Sequence, residues 1–365
     1  MVYLDNGATS FPKPRQVENA VLQAIRTCAN PGRSGHGPAM AAAETLYRCR
    51  LGAAKLFHCD EEQVVFTQNC THGLNVAIGT LVKPGDRVVI SGFEHNAVTR
   101  PLHALGAKVT LAGRRIFDTA DTLEQFENAL KQGPKAAIFT HVSNVFGYIL
   151  PVREMAELCK RYEVPFIVDA AQSAGILEVD MGALGADFIA MPGHKGLLGP
   201  MGTGILLCGR LPAPLICGGT GSMSRSQEMP EVLPDRAEAG TLNIPGIAGL
   251  SAGIRYVNQI GTAVILKRQR KQVRRCAAGL RKLGIPCFAG EDQAGVLSFL
   301  PAKDCQEGAQ FLWKRGIATR AGLHCAPLAH ESAGTLSTGT IRVSFGHDAT
   351  DAQTDRFLAE VEKLS

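Results

Sequence analysis

The feature that most constrains this chain is an alternation of short apolar runs with longer mixed segments. The runs Val64-Val65-Phe66, Arg87-Val88-Val89-Ile90, Lys108-Val109-Thr110-Leu111, Ala136-Ala137-Ile138-Phe139, Pro165-Phe166-Ile167-Val168 and Asp187-Phe188-Ile189-Ala190 are short enough for strands. Between most of them lie stretches long enough for a helix, such as 123–131 and 152–162. A strand that is apolar at consecutive positions has no wet face, so both of its faces need cover. Helices alternating with such strands supply that cover in a mostly parallel sheet. The expected fold is therefore α/β. Ligands in such sheets bind beyond the C-terminal ends of the strands, which directs attention to 67–73, 91–96, 140–147, 169–172 and 191–196.

The rest of the chain divides around this region. Helical spacing of Val17, Ala20, Val21, Ala24 and Ile25 predicts a helix over 14–28, and an Ala-rich stretch predicts a second over 38–57, after a Gly-rich break at 31–37. Residues 197–207 carry glycines and a returning strand. A polar, Gly-rich segment at 218–243 precedes an α+β remainder with strand-like runs at Val296-Leu297-Ser298-Phe299 and Ile341-Arg342-Val343-Ser344. The expectation is an N-terminal arm (1–15) belonging with the smaller unit, a large domain (16–249) and a small α+β domain (250–365). With 365 residues, of which 45% are hydrophobic and 19% charged, the chain has the apolar content for such cores and reads as a soluble globular protein.

Charge and cysteine usage exclude several classes of function. A net charge of +5 with 6% aromatic residues is a poor footprint for nucleic acid. The eight basic residues of 267–282 read as a solvated helix face. No two of the eleven cysteines are separated by only two residues, so no zinc or redox pair stands out. Their odd number and apolar surroundings fit a reducing compartment. No apolar run approaches the roughly 18 residues of a membrane span, and no secretory signal is apparent at the start. The expected location is the cytoplasm.

Two residues carry chemistry together. Lys195, in Met191-Pro192-Gly193-His194-Lys195-Gly196, follows a strand end, where a desolvated amine suits Schiff-base formation. Asp169, 26 residues earlier, closes another apolar run. An imine-forming lysine and an anion for a ring nitrogen are the two fixed points that pyridoxal phosphate needs. The segment Thr67-Gln68-Asn69-Cys70-Thr71-His72-Gly73 leads from strand to helix and offers backbone amides to a phosphate. His95 is a candidate to stack on the cofactor ring.

At this point the chain resembles the cysteine desulfurases and selenocysteine lyases of the class V, fold-type I pyridoxal phosphate enzymes, over nearly its whole length. The resemblance rests on Glu94-His95, His141-Val142-Ser143-Asn144-Val145-Phe146-Gly147, Val168-Asp169-Ala170-Ala171-Gln172, Gly193-His194-Lys195, Glu238-Ala239-Gly240-Thr241 and Arg320-Ala321-Gly322-Leu323-His324-Cys325-Ala326. It implies a large domain with a mostly parallel seven-stranded sheet and a small α+β domain carrying the Cys325 loop. It makes Lys195 the cofactor-bearing lysine and proton shuttle, Asp169 the partner of the ring nitrogen, Gln172 a donor to the ring's phenolic oxygen and His95 the stacking residue. Cys70, Thr71 and His194 would line the phosphate side, joined by Thr241 of a second subunit in a homodimer with shared active sites. Asn144 and Arg342 would hold the amino acid, with Arg320 and His36 as further candidates. Pro192 stands where many relatives have a phosphate-contacting Ser, and a proline has no backbone donor to offer instead.

Cys325 separates this chemistry from the other reactions of the fold. It follows Arg320 and His324 and opens a polar loop over 329–339, so exposure and basic neighbours would favour its thiolate. In the family this thiol attacks the sulfur of L-cysteine and becomes a persulfide, leaving alanine. A sulfur-acceptor protein or small thiol would then complete sulfur mobilisation, of which iron–sulfur cluster assembly is one outlet. Selenocysteine lyase, transaminase and non-catalytic sulfur-carrier readings remain alternatives at this stage, and no metal is called for.

Overall fold

The protein is described from a computed structural model covering residues 1–31 and 34–364; Gly32 and Arg33 of the Gly-rich break, and Ser365, lie outside the described residues. Strand β1 (Val2–Tyr3) is followed by α1 (Arg15–Thr27), α2 (Gly37–Phe57), β2 (Val64–Thr67), α3 (Cys70–Leu81), β3 (Arg87–Ser91), α4 (Asn96–Ala104) and β4 (Lys108–Ala112). The chain continues through α5 (Thr119–Leu130), β5 (Ala136–Thr140), α6 (Val152–Arg161), β6 (Phe166–Asp169), α7 (Met181–Leu184), β7 (Phe188–Pro192) and β8 (Gly204–Cys208). Next come α8 (Ile244–Ile260), α9 (Thr262–Lys282), β9 (Cys287–Phe288), β10 (Val296–Phe299), α10 (Cys305–Trp313), β11 (Ile317–Ala318) and β12 (Arg320–Gly322). Helix α11 (Pro327–Ala333), β13 (Thr340–Ser344) and α12 (Asp351–Val361) complete the chain.

The expected α/β architecture is the one found. Seven strands form a sheet in the order β2-β8-β7-β6-β5-β3-β4. All neighbours run parallel except at β8, which is antiparallel to both β2 and β7. Every residue of β5, β6, β7 and β8 is buried, which accounts for their unbroken apolar sequences. Leu74 and Ile78 of α3 and Val98 and Leu102 of α4 cover one face. Phe57, Phe126, Met155 and Ile254, from α2, α5, α6 and α8, cover the other. Each such side chain contributes about 1.5–3 kcal/mol on burial.

The smaller sheet is antiparallel, in the order β12-β13-β10-β9, and packs on α9 and α12 through Leu280, Leu297, Val343 and Phe357. The basic stretch lies on α9, where Lys271 pairs with Asp351 at 2.8 Å and Arg275 with Asp355 at 2.6 Å across to α12. The N-terminal arm touches this sheet through a bridge from Asp5 to Ser344 of β13, while β1 pairs in parallel with β11 in a separate two-stranded sheet. Residue 250 lies inside α8, whose Leu250 and Ile254 pack in the large core.

Two local expectations are corrected. Helix α5 begins at Thr119 rather than 123, because Asp118 Oδ1 accepts the amide of Asp121 at 2.9 Å and so caps the start. The stretch after Cys325 is a helix before it is a loop: Pro327 occupies the first turn of α11, and Gly334, at φ +68°, ends it.

Candidate active site

The C-terminal ends of β3, β5, β6 and β7 open into one cavity of about 240 Å³. It is lined by Cys70, Thr71, His95, Asn144, Asp169, Gln172, His194, Lys195, Arg320, Cys325 and Arg342. Eleven of the thirteen residues singled out in the sequence thus meet at one place. The other two lie elsewhere. His36 is exposed and caps α2, its Nδ1 accepting from the amide of Ala39 at 3.4 Å. Thr241 is also exposed and borders a separate cavity lined by Arg50, Asp235 and Glu238.

Lys195 enters from the turn after β7. Its Nζ has no hydrogen-bond or ion-pair partner among the described residues. Burial, and next the nearby Arg342 guanidinium, hold its pKa below the ordinary lysine value, which enriches the neutral amine that a carbonyl-trapping lysine requires. The peptide carbonyl just before it, that of His194, accepts from Thr9 Oγ1 at 3.0 Å, Ser10 N at 3.0 Å, Ser10 Oγ at 3.1 Å and Lys13 Nζ at 2.8 Å. Residues 9–13 of the arm and the segment after it therefore fix the backbone from which Lys195 projects.

Asp169 ends β6. Its Oδ1 accepts the amide of Ala171 at 2.8 Å and the thiol of Cys70 at 3.4 Å, while Oδ2 has no partner among the described residues. Loss of water, and then the Asp169 charge, push the Cys70 thiol well up, so it serves as a donor. Asn69 caps α3, with Oδ1 accepting the amide of His72 at 2.9 Å, and Thr71 lies exposed in that helix's first turn. His194 has a buried Nδ1 with no partner and is pushed down to about 4, first by burial and then by Lys195.

His95 caps α4, Nδ1 accepting from Ala97 N at 3.0 Å, which places the ring proton on Nε2. Burial lowers its pKa and keeps the ring neutral. Glu94 beside it is fully buried, and Oε1 accepts from Ser91 Oγ and from Thr140 N, tying the ends of β3 and β5 together. Burial raises this carboxyl to about 8. Gln172 donates from Nε2 to the Gly7 carbonyl at 3.0 Å.

Cys325 occupies a tight turn. His324 and Cys325 have φ of +50° and +57°, and Ala326 N donates back to Leu323 O at 2.9 Å. Two successive left-handed residues other than glycine are costly, and two bonds hold them: Asn144 Nδ2 to His324 O at 2.7 Å, and Asn96 N to Cys325 O at 2.7 Å. The Cys325 side chain is exposed, as expected. His324 is not the cationic neighbour expected from sequence: burial, and then Arg342, push it down to about 2. Arg320, the other basic neighbour expected from sequence, is exposed and lines the same cavity.

Sequence reasoning assigned no role to Asp5, Lys13 or Glu94. For Asp5 and Lys13 the signal lies in partners 337 and 181 residues away, Arg342 and the His194 carbonyl, and for Glu94 in the Thr140 amide on a neighbouring strand.

The class-V aminotransferase family profile matches residues 2–357. A probable cysteine desulfurase of Pyrococcus abyssi is 36% identical over all of this chain and 94% of its own length. One of Methanothermobacter thermautotrophicus is 33% identical over the same shares. Among solved structures, the apo cysteine desulfurase of Thermococcus onnurineus superposes with a TM-score of 0.93 at 33% identity, covering all of this chain and 94% of that one. A cysteine desulfurase of Escherichia coli gives 0.84 at 26%, with the same coverage. Members of this family depend in general on pyridoxal phosphate. The chain belongs to the class-V aminotransferase family, together with these cysteine desulfurases.

Proposed function

We propose that the protein is a pyridoxal phosphate-dependent cysteine desulfurase, converting L-cysteine to L-alanine with the sulfur retained on Cys325. The observation that carries this reading is the meeting of Lys195, Asp169, His95, Arg342 and Cys325 around one cavity. When bound, pyridoxal phosphate supplies an electron sink for the α-carbon of an amino acid. The residues suit it: Lys195 offers an unpartnered, partly neutral amine, Asp169 an open carboxylate oxygen, and Thr71 and His194 polar atoms for the phosphate. Pro192 withholds an amide there.

Lys195 Nζ takes and returns the α-proton. Asp169 Oδ2 would hold a proton on the ring nitrogen, with Cys70 hydrogen-bonded to the other carboxylate oxygen. His95, held by the Ala97 amide, would stack on the ring, and Gln172 would donate to its phenolic oxygen. Arg342 and Asn144 take the substrate's carboxylate end, with Arg320 at the rim. Cys325 Sγ bonds to the substrate sulfur as the substrate's Cβ–S bond breaks, and Cβ gains a proton. Thiol plus cysteine thereby gives persulfide plus alanine, with the sulfur oxidised and the carbon reduced.

We further propose a homodimer in which Thr241, exposed in this chain, completes the partner's phosphate site. The two units of each chain would divide at Gly261, between α8 and α9. A cytoplasmic, reducing setting agrees with eleven free cysteines, and no described helix is long and apolar enough to cross a membrane. An acceptor thiol or protein would collect the sulfur from the exposed Cys325. The test is alanine formation from L-cysteine by the protein loaded with pyridoxal phosphate. Formation by the wild type and none by Lys195→Ala supports the reading, and equal formation by both overturns it.

A further inference from the structure

Arg342 is 2% exposed, and a single carboxylate meets its charge: Asp5 Oδ1 accepts from Nη2 at 2.7 Å. Nη1 donates to the Asn144 carbonyl at 3.0 Å. Nε is buried and has no partner among the described residues. A guanidinium grips a carboxylate in two parallel bonds. Asn144 takes one hydrogen of Nη1 and Asp5 one of Nη2, so three of the five guanidinium hydrogens have no partner among the described residues.

Backbone pairing puts Asp5 there. Ser344 N donates to Leu4 O at 2.7 Å, and Asn6 N donates to Ser344 O at 3.3 Å. Asp5 therefore lies opposite Ser344, two residues along β13 from Arg342 and so on the same side of that strand. Gly7 closes over the guanidinium: a Cβ there would lie 3.2 Å from Arg342 Cζ and 3.3 Å from Nη2.

We propose that Asp5 is a positioning residue for substrate binding, holding the Arg342 guanidinium, with the Gly7 backbone against it, in the orientation that leaves its remaining donors for the amino acid's carboxylate. The proposal rests on the reading of Arg342 as the carboxylate's partner. Charge works the other way, since an anion beside Arg342 weakens its pull on another anion. Orientation outweighs it here. The Asp5 side chain is 19% exposed, so water screens part of its charge. Asp5 is the one hydrogen-bond partner of Nη2 among the described residues, and misplacement by about an ångström can cost about two orders of magnitude in a geometry-dependent contact.

The test uses the enzyme loaded with pyridoxal phosphate. It combines steady-state kinetics on L-cysteine with titration by L-alanine, followed through the cofactor's absorbance, for Asp5→Ala, Asp5→Asn, Gly7→Ala and Arg342→Gln. Asp5→Ala should raise KM and the L-alanine dissociation constant about tenfold with kcat nearly unchanged, the pattern of lost uniform binding. Asp5→Asn, which keeps an oxygen for Nη2, should stay within about threefold of wild type, and Gly7→Ala should follow Asp5→Ala. If Arg342→Gln changes neither constant, the reading of Arg342 fails and the proposal with it. If Arg342→Gln weakens both but Asp5→Ala and Gly7→Ala do not, or lower KM, only the proposal is overturned. Asp5→Asn as impaired as Asp5→Ala also overturns it. Should Asp5→Ala not fold, Gly7→Ala carries the same test.

Discussion

Single residues here are set by what they lack. Among the described residues, Lys195 Nζ and Asp169 Oδ2 have no hydrogen-bond partner and His194 Nδ1 is buried without one; each is a group that a bound cofactor would satisfy. The account predicts that borohydride treatment of the protein mixed with pyridoxal phosphate fixes the cofactor onto Lys195. Peptide mapping should find the label there at neutral pH, because burial and Arg342 hold the ammonium below the ordinary lysine range. Labelling of Lys195→Ala to the same extent on another lysine would contradict it. That Lys195 and Asp169 line one cavity was legible because one follows a strand and the other ends one, and the sheet rule says where strand ends point. Asp5 was not, because its meaning comes from a strand 337 residues away.

At the scale of elements, the alternation of apolar runs gave the sheet, since a strand buried on both faces has no room for polar residues. The start of α5 and the presence of α11 depended on capping at Asp118, Pro327 and Gly334, a signal carried by single residues rather than by periodicity. The segment 218–243 carries Thr241 and is pinned by one buried pair. Glu238 Oε2 accepts from Arg50 Nη2 at 2.5 Å and Oε1 from the Phe66 amide at 2.5 Å, so the segment is tied to β2, which leads into α3 and its phosphate-side residues. Removing one partner strands a buried charge. Glu238→Ala should cost about 3–5 kcal/mol, read as a lowered urea midpoint, whereas Arg50→Met with Glu238→Met should recover part of the loss. A midpoint unchanged in Glu238→Ala would show that the pair does not hold the segment.

For the whole molecule, buried histidines set the response to acid. His141 and His330 are held down at about 4, and His324 at about 2, with burial as the first cause in each. Unfolded, each would titrate near 6.5. Their contribution to stability is present above that value and is lost as pH falls toward 4, because unfolding takes up protons there. Glu94, raised to about 8, acts in the opposite sense: its protonated form favours the fold below that pH, until unfolded carboxyls also protonate near 4.3. The histidines outnumber Glu94, so unfolding takes up protons on balance and stability falls as the pH is lowered through this range. The urea midpoint should therefore be lower at pH 5 than at pH 7.5, and a flat or rising midpoint would contradict this. The central claim, that Cys325 carries sulfur taken from cysteine, is tested most directly by intact-protein and peptide mass spectrometry after incubation with pyridoxal phosphate and L-cysteine. The account predicts added sulfur on the peptide containing Cys325, with alanine formed in parallel, and neither in Cys325→Ser. Alanine produced at the wild-type rate by Cys325→Ser, with no sulfur on that peptide in the wild type, would contradict it.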